Sequence, residues 1–250
     1  MKVESVVERR LLVNYRIDPE VAAGLIPAPF RPQLANGYAV AGICLIRLAS
    51  TRPSGLPEQL GLRSENAAHR FAVTWEDEDG ATREGVYVPR RHTSAMLNRL
   101  GGDRVFPGVH ERARFNVDER DDRVRIAFEG DESVEVFARL APKLEGSELF
   151  PDLATASRFF ERGSVGYSPT KRGGFDGLHL ETNAWRVDPV HVESTRSSYF
   201  DDQWRFPPGT AAFDCALLMR NVPVTWHALG QLPASLPARD RHAGTGNRDS

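Results

Sequence analysis

The twenty residues from 11 to 30 read LLVNYRIDPEVAAGLIPAPF and carry the clearest structural pattern in the chain. Residues 11–16 alternate between two faces, which predicts a strand buried mainly on one side. Asp18 can accept hydrogen bonds from the free amides of a helix start. Pro19 suits the first helical position because its missing N–H would be unpaired there. Apolar residues follow on one helical face, and two further prolines end the helix.

Downstream of this segment the chain is predicted to consist mostly of strands. Alternating or apolar segments predict strands at 39–48, 70–75, 84–88, 112–117, 123–128, 133–140, 178–187, 190–193 and 211–220. Two more helices are predicted, one from Ser94 to Leu100 capped by Thr93 and one from Leu153 to Glu161. Residues 1–232 are predicted to form one domain, followed by a disordered tail at 233–250 that is rich in Pro, Ala, Gly and charge.

Composition excludes several classes of protein. The 250 residues carry a formal net charge of -2, with both signs interspersed, so no nucleic-acid partner is predicted. The chain has no apolar run of about 18 residues, which argues against a membrane partner and for a cytoplasmic protein. Cys44 and Cys215 lie in apolar strand-like segments and are expected to be buried thiols.

A family resemblance extends over roughly residues 8–227. The motif Tyr15-Arg16-Ile17-Asp18-Pro19 and the order of the segments 85–91, 105–110, 166–169 and 213–220 resemble the acetoacetate decarboxylase-like superfamily. The nearer likeness within it is to an uncharacterised bacterial family, a domain of unknown function. The resemblance implies an α+β fold, mainly antiparallel, in which the sheet closes into a cone or barrel around a central cavity, with a few peripheral helices. A homo-oligomer is also compatible with it.

The lysine content argues against the chemistry of acetoacetate decarboxylase itself. That enzyme uses a lysine amine that forms a Schiff base with a ketone. This chain has three lysines, Lys2, Lys143 and Lys171. The two placements that the resemblance offers for the lysine pair, at 108–109 or at 96–98, hold none. Lys2 is expected at a flexible terminus and the other two at the surface, and Lys143 is the least improbable nucleophile of the three.

Five other polar residues are candidates for a site near the implied cavity. Arg90 and Arg91 are successive residues of a strand, so one can point inward and bind a carboxylate or enolate. His92 follows them as a candidate ligand-binding residue, and Glu65 and His110 are candidates for proton transfer. A surface location is the alternative for the two arginines and Glu65, and a structural or exposed position is the alternative for the two histidines. Neither a nucleotide-binding loop nor a metal-ligand spacing is present, so no cofactor and no metal are predicted.

Two functional hypotheses follow. The first is a lysine-independent lyase-like or isomerase-like enzyme, in which the cavity holds a small anionic or oxo-acid-like metabolite, a carbonyl or carboxylate compound. The second is a non-catalytic module that binds such a small molecule in the same cavity. A structural protein whose interior is filled by side chains is a third alternative.

Overall fold

The computed structural model describes residues 2–95, 108–171 and 173–234. Its elements are, in chain order, β1 (Lys2–Ile17), α1 (Pro19–Leu25), β2 (Arg31–Pro32), β3 (Leu34–Ala35), β4 (Tyr38–Pro53), a 3-10 helix (Glu58–Leu60), β5 (Leu62–Glu76), β6 (Thr82–Thr93), β7 (His110–Arg112), β8 (Arg114–Arg120), β9 (Arg123–Glu129), β10 (Ser133–Leu140), α2 (Leu153–Arg162), β11 (Val165–Pro169), β12 (Phe175–Glu181), β13 (Asp188–Ser197) and β14 (Ala211–Leu232).

Helix α1 begins as the sequence predicts. The carboxylate of Asp18 accepts hydrogen bonds from the backbone N–H groups of Glu20 and Val21, at 2.8 and 3.3 Å. Pro19 occupies the first helical position. Ala22 and Ile26 are buried, so the apolar face of the helix packs onto the sheet.

Replacing Asp18 with alanine is expected to lower the free energy of unfolding by about 1 kcal/mol, because two amides of the first turn lose their acceptor. Urea unfolding followed by circular dichroism measures the change. Asp18→Asn is the matched control, since asparagine caps helices as well as aspartate does. Equal losses in the two variants would show that the cap is not the source of the stability.

Seven strands form a closed ring. In neighbour order they are β1, β4, β5, β6, β11, β12 and β14, and β14 pairs back to β1. Among the strands described, β6 makes parallel pairings with β11 and β7, and the other pairings are antiparallel. Strands β13, β10, β9 and β8 extend from β14. This arrangement confirms the predicted α+β class with a closed, mainly antiparallel sheet.

The inner face of the ring carries the larger apolar core. Every strand of the ring contributes a side chain to this one cluster, for example Leu11, Ile43, Phe71, Tyr87, Tyr167, Phe175 and Leu218. Strands β9 and β10 add residues to the same cluster. The outer face forms a second core, in which Phe159 and Phe160 of α2 pack against the ring. Cys44 and Cys215 belong to this second core as free, buried thiols, as predicted.

Aromatic side chains fill one end of the interior. The ring of Phe30, just after α1, has its centroid 5.0 Å from that of Phe175. It also lies 5.7 Å from the ring centroids of both Trp75 and Tyr167, and 5.9 Å from that of Tyr87. Dense packing of this kind leaves that end to the core rather than to a ligand. Nearer the start of β5, at His69, a polar side chain lies in the interior.

Several predicted strand limits were wrong. The strand predicted at 178–187 ends at Glu181, because Thr182 accepts a hydrogen bond from the N–H of Ala184 and so forms a local turn. The last strand continues past Arg220 to Leu232, because β12 supplies a partner for residues 225–232. Lys2 begins β1, paired with His227, instead of lying in a flexible terminus.

Other predictions concern parts of the chain that the structure does not describe. The helix predicted from Ser94 to Leu100 falls largely on residues 96–100, outside the described residues. Residues 235–250 of the predicted tail also lie outside them, so the domain limits of 1–232 and 233–250 stay a prediction. Within the described ranges, no helix combines the length and the apolar character that crossing a membrane requires.

Candidate functional site

Five titratable side chains meet where β5, β6, β7 and the turn between β9 and β10 come together. We call them the histidine–carboxylate cluster: His69, His92, Glu111, Asp131 and Glu132. Sheet register brings the strand members together. His92 lies opposite Ala67 of β5 and beside Glu111 of β7, so its side chain shares the inner face with both.

His69 is the most deeply placed member of the cluster. Its side chain is completely buried, with its imidazole stacked on Tyr199 at 4.5 Å between ring centroids. Neither ring nitrogen has a hydrogen-bond partner within the described part of the chain. Burial, together with the nearby His92 and Arg205, lowers the pKa of His69 to about 3, so the imidazole is neutral at pH 7.

His92 and Asp131 form a close pair. Nε2 of His92 lies 2.6 Å from Oδ1 of Asp131, while Nδ1 of the same ring is buried and finds no hydrogen-bond partner in residues 2–95, 108–171 and 173–234. Hydrogen bonds with Glu111 and His92 lower the pKa of Asp131 to about 2, although its partial burial acts in the opposite direction. The shared hydrogen bond with Asp131 raises the pKa of Glu111. Asp131 is therefore the ionised partner that orients His92.

Glu132 faces His69 across the cluster. Its Oε2 atom lies 3.2 Å from Nδ1 of His69, but the two atoms lack hydrogen-bond geometry and Oε2 has no partner. Burial raises the pKa of Glu132. The guanidinium groups of Arg90 and Arg205 each lie 3.9 Å from Oε1 of the same carboxylate.

The cluster extends from solvent into the core. Arg90 and Asp131 are 43% and 40% exposed, whereas His69 and His92 have no exposed side-chain surface. A groove of about 710 Å³ lies beside it, lined by Ser94, Arg112, Ala113, Arg114, Phe115, Glu129 and Gly130. A Cβ added at Gly130 would stand 3.5 Å from Cδ2 of His92. The groove therefore reaches the edge of the cluster.

The predicted ligand-binding residues separate into two groups. Arg90 and His92 lie at the cluster, with Arg90 donating to Glu111 at 3.1 Å. Arg91 lies opposite Ala68 on the other face of the sheet, where its Nε donates to Oγ of Ser168 at 2.8 Å. Alternation along β6 thus sends the two arginines to opposite faces.

Glu65 lies on β5 in a network of ion pairs. One carboxylate oxygen accepts a hydrogen bond from Arg9 and the other from Arg47, both at 2.5 Å. Both arginines also pair with Glu119 of β8. This geometry favours a role in joining strands, and proton transfer by Glu65 stays a prediction.

His110 begins β7 and lies beside Arg91 of β6 in the parallel register. Paired residues of a parallel ladder point to the same side, so His110 shares a face with Arg91 and not with His92. Its predicted role in proton transfer is therefore not supported by a place in the cluster.

The three lysines lie at the surface. Lys143 is 72% exposed and its Nζ pairs with Oε1 of Glu145 at 2.7 Å. Lys2 and Lys171 are also exposed.

Sequence reasoning missed His69, Glu111, Asp131, Glu132 and Arg205. One signal for His69 was present, since it stands between Ala67 and Phe71 at inward-facing positions of an alternating strand. The acidic pair 131–132 follows Gly130 in a hairpin turn, where acidic residues are ordinary surface residues. Only the pairing of distant strands shows that these side chains meet.

Comparison with known proteins shows one matching family. A family model for DUF2071, described as an uncharacterized conserved protein, matches residues 6–212. No curated protein matches the chain.

Three solved structures illustrate the structural similarity. The enduracididine biosynthesis enzyme MppR with HEPES buffer bound has a TM-score of 0.57 at 12% identity, covering 93% of this chain and 88% of that one. The acetoacetate decarboxylase of Legionella pneumophila has a TM-score of 0.52 at 11% identity, covering 91% and 87%. An acetoacetate decarboxylase-like enzyme of Sphingomonas wittichii RW1 has a TM-score of 0.52 at 10% identity, covering 92% and 91%. These similarities establish a shared fold.

Proposed function

The chain belongs to the DUF2071 family of uncharacterized conserved proteins, and on this premise we propose that it is a lysine-independent enzyme acting on a small carbonyl or carboxylate compound. The histidine–carboxylate cluster is the proposed site of proton transfer. The observation that carries the proposal is the meeting of the oriented His92–Asp131 pair with the imidazole of His69 and with Oε2 of Glu132, which have no hydrogen-bond partner among the described residues. Groups whose surroundings separate their pKa values in this way are typical of acid–base sites.

Arg90 and Arg205 are the proposed groups that recognise a substrate carboxylate. Both lie near the same oxygen of Glu132 without a close contact to it, so each has donors to offer a bound anion. Arg90 is also exposed enough to meet a small molecule that arrives from solvent. Surface location of all three lysines supports a reaction that forms no Schiff base.

A solved MppR structure is a complex with pyruvate, which makes pyruvate a suitable first probe for this fold. Proton exchange at the pyruvate methyl group in D2O, followed by ¹H NMR, reports proton transfer directly. Wild-type protein is expected to accelerate the exchange, and Glu132→Gln is expected to slow the accelerated rate by about 100-fold. Borohydride added with pyruvate is expected to trap no adduct, since no lysine takes part.

Arg90→Gln tests substrate recognition separately. It is expected to raise the pyruvate concentration needed for half-maximal exchange about tenfold, because one guanidinium contact to the carboxylate is lost. Arg125→Gln is the matched control, because Arg125 is similarly exposed and pairs with a glutamate away from the cluster. Equal behaviour of the two variants would contradict the proposed role of Arg90.

The second candidate function is a binding module without catalysis. The burial of both imidazoles favours it, because a small anion can contact the 43%-exposed Arg90 without reaching His69 or His92, which have no exposed side-chain surface. Saturable pyruvate binding without exchange, weakened by Arg90→Gln, would select this alternative.

A further inference from the structure

We infer that His69, His92 and Glu132 form a binding site for one divalent transition-metal ion. One potential ligand atom from each residue lies within 4.8 Å of the others. Two imidazoles and one carboxylate are a ligand set that Zn²⁺, Fe²⁺, Mn²⁺ and Co²⁺ accept, whereas Mg²⁺ and Ca²⁺ prefer sites made of oxygen alone. The inference concerns the same cluster as the proposed function but does not depend on it.

Unpartnered ligand atoms are the first observation. Four buried atoms, Nδ1 and Nε2 of His69, Nδ1 of His92 and Oε2 of Glu132, have no hydrogen-bond partner among the described residues. Leaving a buried polar atom unpaired costs free energy, so four such atoms on three neighbouring side chains require a common explanation. A metal ion would satisfy three of them together.

The spacing of these atoms is the second observation. Ligands of a tetrahedral zinc ion lie about 2.0–2.2 Å from the metal, which places any two of them roughly 3.4 Å apart. Nδ1 of His69 and Oε2 of Glu132 are separated by 3.2 Å without hydrogen-bond geometry, as expected for two groups directed at a third point. The three potential ligand atoms lie within 4.8 Å of one another, so they would need to approach by no more than about 1.4 Å to reach this spacing.

The surroundings of His92 match those of a metal ligand. Metal-bound histidines usually donate their other ring N–H to a carboxylate, and His92 pairs through Nε2 with Asp131 at 2.6 Å. This contact leaves Nδ1 as the ligand atom. His69 is held in place by its stack on Tyr199.

The charges around the cluster also favour a bound metal ion. The cluster contains the carboxyl groups of Glu111, Asp131 and Glu132, and the arginines near them are Arg90 and Arg205. A dication would offset the excess of acidic groups and leave the guanidinium groups able to attract an anion. No metal-ligand spacing is visible along the chain because the three ligands come from β5, β6 and the turn before β10.

Metal binding can be measured on tag-free, chelator-treated protein without any assay of turnover. Titration with Co²⁺ is followed by its visible absorption, and Zn²⁺ is then added in competition. Wild-type protein is expected to bind about one Co²⁺ per chain and to release it to Zn²⁺. Asp131→Asn, on a partly exposed side chain, is expected to weaken binding 10- to 100-fold because it loses the partner that orients His92. Glu132→Gln is expected to abolish the site.

The control is the variant His227→Gln. In the wild type, Nε2 of His227 forms a histidine–carboxylate pair with Glu181 elsewhere on the sheet, also at 2.6 Å. The variant is expected to bind Co²⁺ as the wild type does. The inference would be overturned by wild-type protein that shows no saturable binding, or by Asp131→Asn and Glu132→Gln variants that bind normally. A loss in the His227→Gln variant equal to theirs would overturn it as well. Pyruvate exchange that persists in metal-free protein would leave the proposed function standing even then.

Discussion

Replacing Arg9 with methionine is expected to lower the free energy of unfolding by about 3 kcal/mol. Arg9 is 1% exposed and pairs with Glu65 at 2.5 Å and with Glu119 at 2.6 Å. Methionine fills much of the volume but leaves two largely buried carboxylates with Arg47 as their remaining partner. Removing one member of a buried charge network leaves the remaining charges without a partner. The loss of unfolding free energy is therefore large.

Urea unfolding measures the loss, and two further variants define its source. The double variant Arg9→Met, Glu65→Gln is expected to recover part of the lost stability, because it also removes the carboxylate charge that Arg9 had neutralised. Arg120→Met breaks a surface pair in which Arg120 is 80% and Asp118 51% exposed, and it is expected to leave the stability nearly unchanged. If both single arginine variants had the same effect, the buried network would not be a special source of stability.

Phe128→Ala is expected to cost about 4 kcal/mol, because a buried aromatic ring leaves a cavity that the surrounding sheet cannot close. Phe128 is 1% exposed, and its ring lies 4.9 Å from that of His92 and 5.3 Å from that of Phe115. Since the ring supports the imidazole of His92, the variant is also expected to disturb the histidine–carboxylate cluster.

Phe137→Ala is the matched control for this change. Phe137 lies on the neighbouring β10, is partly exposed, and packs beneath the guanidinium of Arg125. Its loss is expected to be clearly smaller, because the smaller side chain leaves an open surface instead of an internal cavity. Similar losses at the two positions, measured by urea unfolding, would contradict the assignment of Phe128 to the core.

Local sequence patterns predicted the parts of the fold that depend on neighbouring residues. The cap at Asp18, the helix after Leu153 and strand β10 were found because capping and alternation act over a few residues. Strand β11 was not recognised as a strand, since its five residues show little alternation and depend on pairing with β6 and β12. Tertiary pairing also sets the length of β14.

The candidate site was predicted only in part for the same reason. Arg90 and His92 were predicted as site residues because they are polar residues at the end of an apolar strand. Glu65 was also singled out, but its two partners are arginines of β1 and β4, which sequence order does not connect to it. His69 meets Glu132 across more than sixty positions of chain, a contact that local patterns do not contain.

The proposed function and the proposed metal site make separate demands on one cluster. Proton transfer needs a base near a bound carbonyl compound, and His69 and Glu132 offer it without a lysine. Metal binding would use the same two residues as ligands, so the reacting proton would then pass to another group of the cluster or to solvent. Measuring the proton exchange of pyruvate with and without added metal therefore distinguishes proton transfer by these residues from metal binding by them.

Imidazole NMR of ¹⁵N-histidine-labelled protein during titration with small oxo acids, pyruvate and acetoacetate first, tests the central claim that the histidine–carboxylate cluster is the functional site. Resonances are assigned with single histidine-to-glutamine variants. Saturable shifts of the His69 and His92 resonances are expected, while those of His227 stay unchanged. Shifts confined to His227 or His191, or no shift of His69 and His92 with either acid, would contradict it.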